Sequence, residues 1–142
     1  MKKAALAAPS AGNLQSRFFY FVKDTDKKEA IKKASLNQEC LDAPLVVVVC
    51  GDVKCATCEY GQRGQELYSI QDASASAENL LIAAVGLGLG GCWVGSFNEG
   101  IIIRILDIPK NLRPVALIPI GYPKENPPPK DLKPLEKKVK LV

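Results

Sequence analysis

The stretch QDASASAENLLIAAVGLGLGGCWVGSF, Gln71 to Phe97, decides the reading of this 142-residue chain. From Ile70 to Val85 every helical face carries Ala, Ser, Leu, Ile or Val, broken chiefly by Glu78 and Asn79. A helix apolar all round is a buried one, so the pattern predicts a central helix through the core. At 1.5 Å per residue the span is roughly 24 Å, about the width of a small domain. The small side chains from Ala73 to Ala77 let a second helix come close, which points to a helix pair, across subunits. Glycines follow, with Gly86 placed for the left-handed cap, and Cys92, Trp93 and Val94 read as a short buried strand.

Function is expected at the end of that strand. Gly86, Gly88 and Gly91 satisfy G-x-G-x-x-G, but a dinucleotide fingerprint follows a strand and opens a helix, and here the order is reversed. Gly95 is more informative. A glycine ending a buried strand beside the small polar Ser96 lets a flat ligand approach bare backbone. An ordinary strand-end turn is the plainer reading, and the residues alone leave both open.

Length allows one domain over residues 1–142 with a fair core, in which helices alternate with strands. The net charge of +4 comes largely from lysines between Lys27 and Lys33 and from the tail beyond Lys124, interleaved with Asp and Glu. Such a face is solvated and is not a nucleic-acid stripe, which needs clustered Arg and exposed aromatics. The start, MKKAALAAPSAG, has too short an apolar part for a signal peptide and reads as the last turns of a helix. No membrane span is expected, and the location expected is cytoplasmic.

The chain has no histidine, which excludes His-based triads and most catalytic zinc sites within it. Cys50, Cys55, Cys58 and Cys92 formally match plant-type ferredoxin spacing. Yet Cys50 closes the apolar run LVVVVC and Cys92 lies in the predicted strand, so both read as core residues and no metal is assigned. Cys55 and Cys58 fall in a polar loop, Gly51 to Gln65, as a free pair, a disulfide or half of a metal site completed by another subunit.

Taken in order, APSAGNLQ (Ala8 to Gln15) is a loop offering backbone N–H groups and small polar side chains, and FFYFV (Phe18 to Val22) a strand buried on both faces. Asp24 or Thr25 caps a helix that turns Ala30, Ile31, Ala34 and Leu36 inward and ends before Pro44. Leu45 to Cys50 is a central strand. Asn98 caps a short helix through Ile102, Ile103 and Leu106, and Pro114 to Ile120 is a strand whose prolines leave one edge incompletely paired. From Tyr122 onward the chain is stiffened by proline and then alternates Lys with Val or Leu, as an extension over 122–142 reaching to a partner subunit's sheet edge, or as a disordered tail.

Together, APSAGNLQ, QDASASAENLLIAA, GLGLGGCWVGSF and PIGYP resemble the nitroreductase family of flavin-dependent oxidoreductases, and the resemblance runs from Ala4 to Leu135. It implies an α+β fold with a mainly antiparallel sheet flanked by helices, built as an intertwined homodimer that binds FMN at the interface. Matched residue by residue, Pro9, Ser10, Ala11, Asn13 and Gln15 are similar to the family loop laid against the flavin. Val94, Gly95 and Ser96 resemble the loop under the ring, with the Gly95 N–H toward flavin N5, and Lys130 resembles a basic position at the FMN phosphate. The implied activity passes hydride from NADH or NADPH through the flavin to a nitroaromatic, quinone or similar acceptor, with no catalytic side chain. A dimeric flavin-binding protein without turnover is the alternative. Two departures stand out: Ser16 and Arg17 replace the common Pro-Trp after Gln15, and the chain starts too late for the family's Arg-rich segment, from which weaker FMN binding is expected.

Overall fold

The run LVVVVCGD forms one strand, β2 (Leu45–Asp52), in which all residues from Val46 to Gly51 are buried. A computed structural model describes residues 1–125 and 127–142; position 126, inside the extension predicted over 122–142, lies outside the described residues. Around β2 the chain builds α1 (Lys2–Leu6), β1 (Arg17–Val22), α2 (Thr25–Lys33), α3 (Val53–Arg63), α4 (Ser69–Gly86), β3 (Gly90–Gly91), α5 (Glu99–Leu106) and β4 (Leu112–Gly121). The sheet order is β1-β2-β4-β3 and every pairing is antiparallel, so the expected α+β class is what the chain forms.

Alternation along β2 divides the core in two. Val47 and Val49 join Ala116 and Ile118 of β4 under α4 and α1, while Val46, Val48 and Cys50 join Leu117 beneath α2 and α5. Full burial of each valine is worth roughly 1.5–3 kcal/mol, which makes this strand the main apolar contributor. Helix starts follow the expected caps: the Asp24 side chain accepts the Lys27 N–H, and the Asn98 side chain accepts the Ile101 N–H.

Several expectations need correction. The central helix is one residue longer at each end than Ile70 to Val85, and it is not buried all round. Ala73, Ala77, Leu80 and Ala84 face the sheet, while Ile82 is 62% and Val85 72% exposed on the far side. Gly86 stays helical, and the left-handed residue is Gly88, at φ +71°. Cys92 and Trp93 are exposed; the ladder there consists of Gly90, Gly91 and a single bridge from Val94 to Leu117. Gly51 to Gln65 is not a loop, because the Asp52 side chain accepts the Cys55 N–H and starts α3, which runs through a π-helical turn (Gly64–Tyr68) into α4. β1 is an edge strand with Phe18 exposed.

Leu36 is the clearest miss. It lies past the end of α2, exposed and in the left-handed region at φ +57°, where an L side chain is strained. Leu36→Gly should therefore leave stability unchanged or raise it by about 1 kcal/mol, whereas Ile31→Ala in the core should cost about 2–5 kcal/mol. Urea denaturation of the two variants checks both signs.

Candidate functional site

The loop between α1 and β1 is held by three side chains that enter it from outside. Asp72, buried near the start of α4, accepts the Ala11 N–H at 3.0 Å through Oδ1 and the Ser16 hydroxyl at 2.5 Å through Oδ2. Arg17 folds back beneath the loop. Its Nη2 donates to the carbonyls of Leu6 (2.7 Å) and Ala8 (2.8 Å), its Nη1 donates to that of Pro9 (3.2 Å), and its buried Nε has no partner among the described residues. Burial pulls the Arg17 guanidinium below its ordinary pKa, and the Asp72 carboxylate opposes that pull. Ser16 and Arg17, the two departures from the common Pro-Trp, are thus the residues that fasten this loop.

With its base fixed, the loop turns sharply: Gly12, Asn13 and Gln15 all have φ between +54° and +57°. A Cβ at Gly12 would collide with the Tyr60 hydroxyl of α3, and the positive φ strains any L side chain there, so the turn favours glycine. Ser10 Oγ accepts the Gln15 N–H at 2.9 Å and keeps its own O–H free to donate. Pro9, Asn13 and Gln15 are exposed, and Ser10 and Ala11 half-buried.

Val94, Gly95 and Ser96 occupy the other candidate loop. Val94 is buried and exchanges both backbone hydrogen bonds with Leu117, each 3.0 Å, and the Ser96 carbonyl accepts Gln38 Nε2 at 3.2 Å. Between these anchors the Gly95 N–H has no protein acceptor among the described residues. A Cβ at Gly95 would meet nothing nearer than the Trp93 indole nitrogen at 3.8 Å, so this backbone is open on that side. Beside it lies a cavity of about 180 Å³, walled by Ile70, Phe97 and Val115 and by the paired Arg113 and Glu99. Two hydrogen bonds, 2.9 and 3.2 Å, join that pair and raise the Arg113 pKa.

Among the described residues no hydrogen bond joins the 9–15 loop to the 94–96 loop; the first hangs from α4 and β1, the second from β4 and Gln38. Lys130 lies exposed in the C-terminal segment and forms no ion pair among the described residues. A larger open depression of about 610 Å³, at Gln62, Arg63, Glu66 and Leu67, contains none of the predicted residues.

Comparisons with known proteins point to one family. The model of the family described as "Nitroreductase family" matches residues 32–122, more than half of the chain. A relative from Archaeoglobus fulgidus, named provisionally as an NADH dehydrogenase/NAD(P)H nitroreductase, is 34% identical over 128 residues, covering 87% of this chain and 70% of its own. The chain belongs to the nitroreductase family. The oxygen-insensitive NADPH nitroreductase of Salmonella typhimurium is 30% identical, with 92% of this chain matched to 57% of that enzyme. The solved NADPH:FMN oxidoreductase of Vibrio harveyi in complex with NAD+ superposes with a TM-score of 0.88 at 26% identity, covering 98% of this chain and 64% of that one.

Within this nitroreductase-family chain the cysteines form no metal-ligand cluster among the described residues. Cys50 is buried in β2, and burial pushes its thiol up to about 12. Cys55 and Cys58 lie on α3, and among the described residues no three His, Cys, Asp or Glu side chains gather as metal ligands. Sequence reasoning missed Asp72 and Tyr60, and marked Ser16 and Arg17 as departures without seeing that they fasten the loop. Asp72 did leave a signal, as the one carboxylate on the inward face of an otherwise small and apolar helix. Asp72→Ala should cost about 2–4 kcal/mol, because it leaves the buried Ser16 hydroxyl and the half-buried Ala11 N–H without an acceptor, and hydrogen exchange at the Ala11 amide should accelerate. Ser16→Ala should cost only about 1 kcal/mol. Denaturation curves and exchange rates of the two variants measure the difference.

Proposed function

We propose that this chain is an FMN-dependent oxidoreductase that takes reducing equivalents from NADH or NADPH and passes them to a nitroaromatic, quinone or similar small acceptor, working as a homodimer in the cytoplasm. Family membership and the chemistry named for its relatives support the oxidoreductase part. The observation that carries the residue-level reading is Gly95, where an unsatisfied N–H, an absent Cβ and a mostly apolar cavity coincide.

When bound, FMN supplies the redox chemistry, so no side chain need act as nucleophile or base. The residues present fit such a group. Gly95 gives close access to backbone and a free donor, Val94 fixes the depth of that backbone, and Ser96 lies on the exposed side. Pro9, Ser10, Ala11, Asn13 and Gln15 offer a pre-set polar loop with a free Ser10 hydroxyl, and Lys130 offers a cation for the phosphate. As a flexible point charge, Lys130 positions a phosphate less sharply than an arginine fork does.

A cavity of about 180 Å³ falls below the roughly 300–1,000 Å³ of ordinary ligand pockets. One chain therefore supplies a partial site, which favours completion by a second copy. The exposed apolar side of α4, with Ile82 and Val85, gives that copy a surface. No helix among the described residues is long and apolar enough to cross a membrane.

Gly95→Val tests the assignment cleanly, because the space at this position lets the variant fold. FMN affinity, read by flavin fluorescence quenching, should fall at least about tenfold while the unfolding midpoint stays put; unchanged affinity would remove Gly95 from the site. For the assembly, Ile82→Asp should shift the protein from dimer to monomer in sedimentation velocity. A wild-type chain that is already monomeric at micromolar concentration would sink the homodimer. NAD(P)H oxidation by the flavin-loaded protein with a quinone acceptor separates the enzyme from a flavin-binding protein without turnover.

A further inference from the structure

Two cysteines that the proposed chemistry leaves unused are brought together at the end of β4. Gly121 pairs with Gly90 on one side of that strand, and on the other a Cβ at Gly121 would lie 2.8 Å from Pro44 Cδ. The turn containing Cys40 (Glu39–Asp42) and the segment containing Cys92 therefore flank the same strand end. Cys92 is registered to β4 by its N–H, which donates to the Pro119 carbonyl at 3.4 Å. Extended-chain alternation turns Cys92 to the same sheet face as Val94, two residues on. Val94 belongs to the core under α2 and α5, and Cys40 packs against that same core. The hydrogen bond from Gln38 Nε2 to the Ser96 carbonyl, 3.2 Å, closes the seam just beyond them.

We propose that Cys40 and Cys92 are a thiol pair that closes to a reversible disulfide when it meets a small-molecule disulfide such as oxidised glutathione. Exposure assigns the order of events. Cys92 is exposed and Cys40 half-buried, with its thiol raised above the ordinary pKa first by burial and then by the neighbouring Cys92 thiol. The Cys92 thiolate attacks one sulfur of oxidised glutathione and expels the first glutathione thiolate, leaving a mixed disulfide at Cys92. Cys40 loses its proton to solvent and attacks the Cys92 sulfur, expelling the second glutathione. Two protein thiols are oxidised, one small disulfide is reduced to two thiols, and reduced glutathione in excess reverses both steps.

Cys55 and Cys58 compete poorly for this role. They lie three residues apart on the regular turn of α3, where Cβ atoms sit about 5–6 Å apart, against about 3.5–4.5 Å in a disulfide. Bridging them requires part of α3 to unwind.

The full-length protein, incubated in oxidised glutathione, then acid-quenched and alkylated in denaturant so that buried Cys50 also reacts, supplies the test. Two of its five thiols should escape alkylation, peptide mapping should find Cys40 joined to Cys92, and dithiothreitol should restore all five. Fluorescence of Trp93, the chain's single tryptophan, should change over the same time course. Cys40→Ser and Cys92→Ser should each abolish the bridge, and the Cys55→Ser/Cys58→Ser double variant should keep it. The pair is refuted if glutathione stays on Cys92 while Cys40 remains alkylatable, if the protected residues are Cys55 and Cys58, or if all five thiols still react. Flavin content does not enter the alkylation and peptide-mapping readouts, so failure of the functional assignment leaves them intact.

Discussion

Because Val46 to Gly51 are buried without a break, both faces of β2 need cover, and the placement of the helices follows from that requirement. α4 and α1 cover one face, α2 and α5 the other. The ladder between β2 and β4 runs the whole length of β2, with one irregularity at Val49 and Cys50. On its other side β4 meets just the short stretch Gly90 to Val94 among the described residues, through the Gly90 and Gly91 pairs, the Cys92 N–H and the Val94 bridge. The chain thus leaves the sheet at Gly95 because the ladder stops there, and an unpaired N–H next to a core-facing valine results. What distinguishes the candidate site is the end of a strand pairing, with no special side chain needed to make it.

The second loop is fixed by charge instead of by a ladder. Asp72 and Arg17 are both buried, and a buried ion is costly in a small domain unless most of its hydrogen-bonding capacity is used. Asp72 uses its two oxygens on Ala11 and Ser16, and Arg17 spends its terminal nitrogens on three carbonyls at the end of α1. These bonds tie the loop to α4, which is itself clamped to the sheet. Asn79 adds a further tie by donating to the Ala4 carbonyl at 3.0 Å. The left-handed backbone at Asn13 and Gln15, strained for L residues, is therefore imposed by surrounding structure, as strained positions at ligand loops commonly are.

Where a local signal had a single physical meaning, the sequence was readable. LVVVVC could only be a strand covered on both sides, and Asp24 and Asn98 cap the helices expected of them. Errors arose where one signal had two meanings. Asp52 followed a strand and preceded polar residues, so it was read as loop, although an Asp there is equally a helix cap. Cys92 looked buried because its neighbours are apolar, yet the ladder at that point is too short to cover it. Leu36 continued the apolar spacing of α2, but the helix had already ended. Arg17 was unreadable for a different reason: its partners are backbone carbonyls, which leave no trace in residue identities.

α4 illustrates why apolarity all round does not identify what covers a helix. The small residues that suggested a seam divide between its faces: Ala73 and Ala77 pack on the sheet, whereas Ser74 and Ala75 are half-buried on the side that carries Gln71, Glu78, Ile82 and Val85. In the proposed homodimer only this outer side is available to the second copy. Burying Ile82 and Val85 on both subunits would contribute roughly 6–12 kcal/mol at about 1.5–3 kcal/mol each. Association alone costs an estimated 4–15 kcal/mol, so the α4 contact by itself is marginal. Further apolar surface has to join it, and the chain exposes such surface at Leu132, Leu135, Val139 and Leu141 of the C-terminal segment. In the proposed homodimer, dimerisation through α4 and docking of that segment on the partner would therefore reinforce each other, since each adds apolar burial against the same association cost.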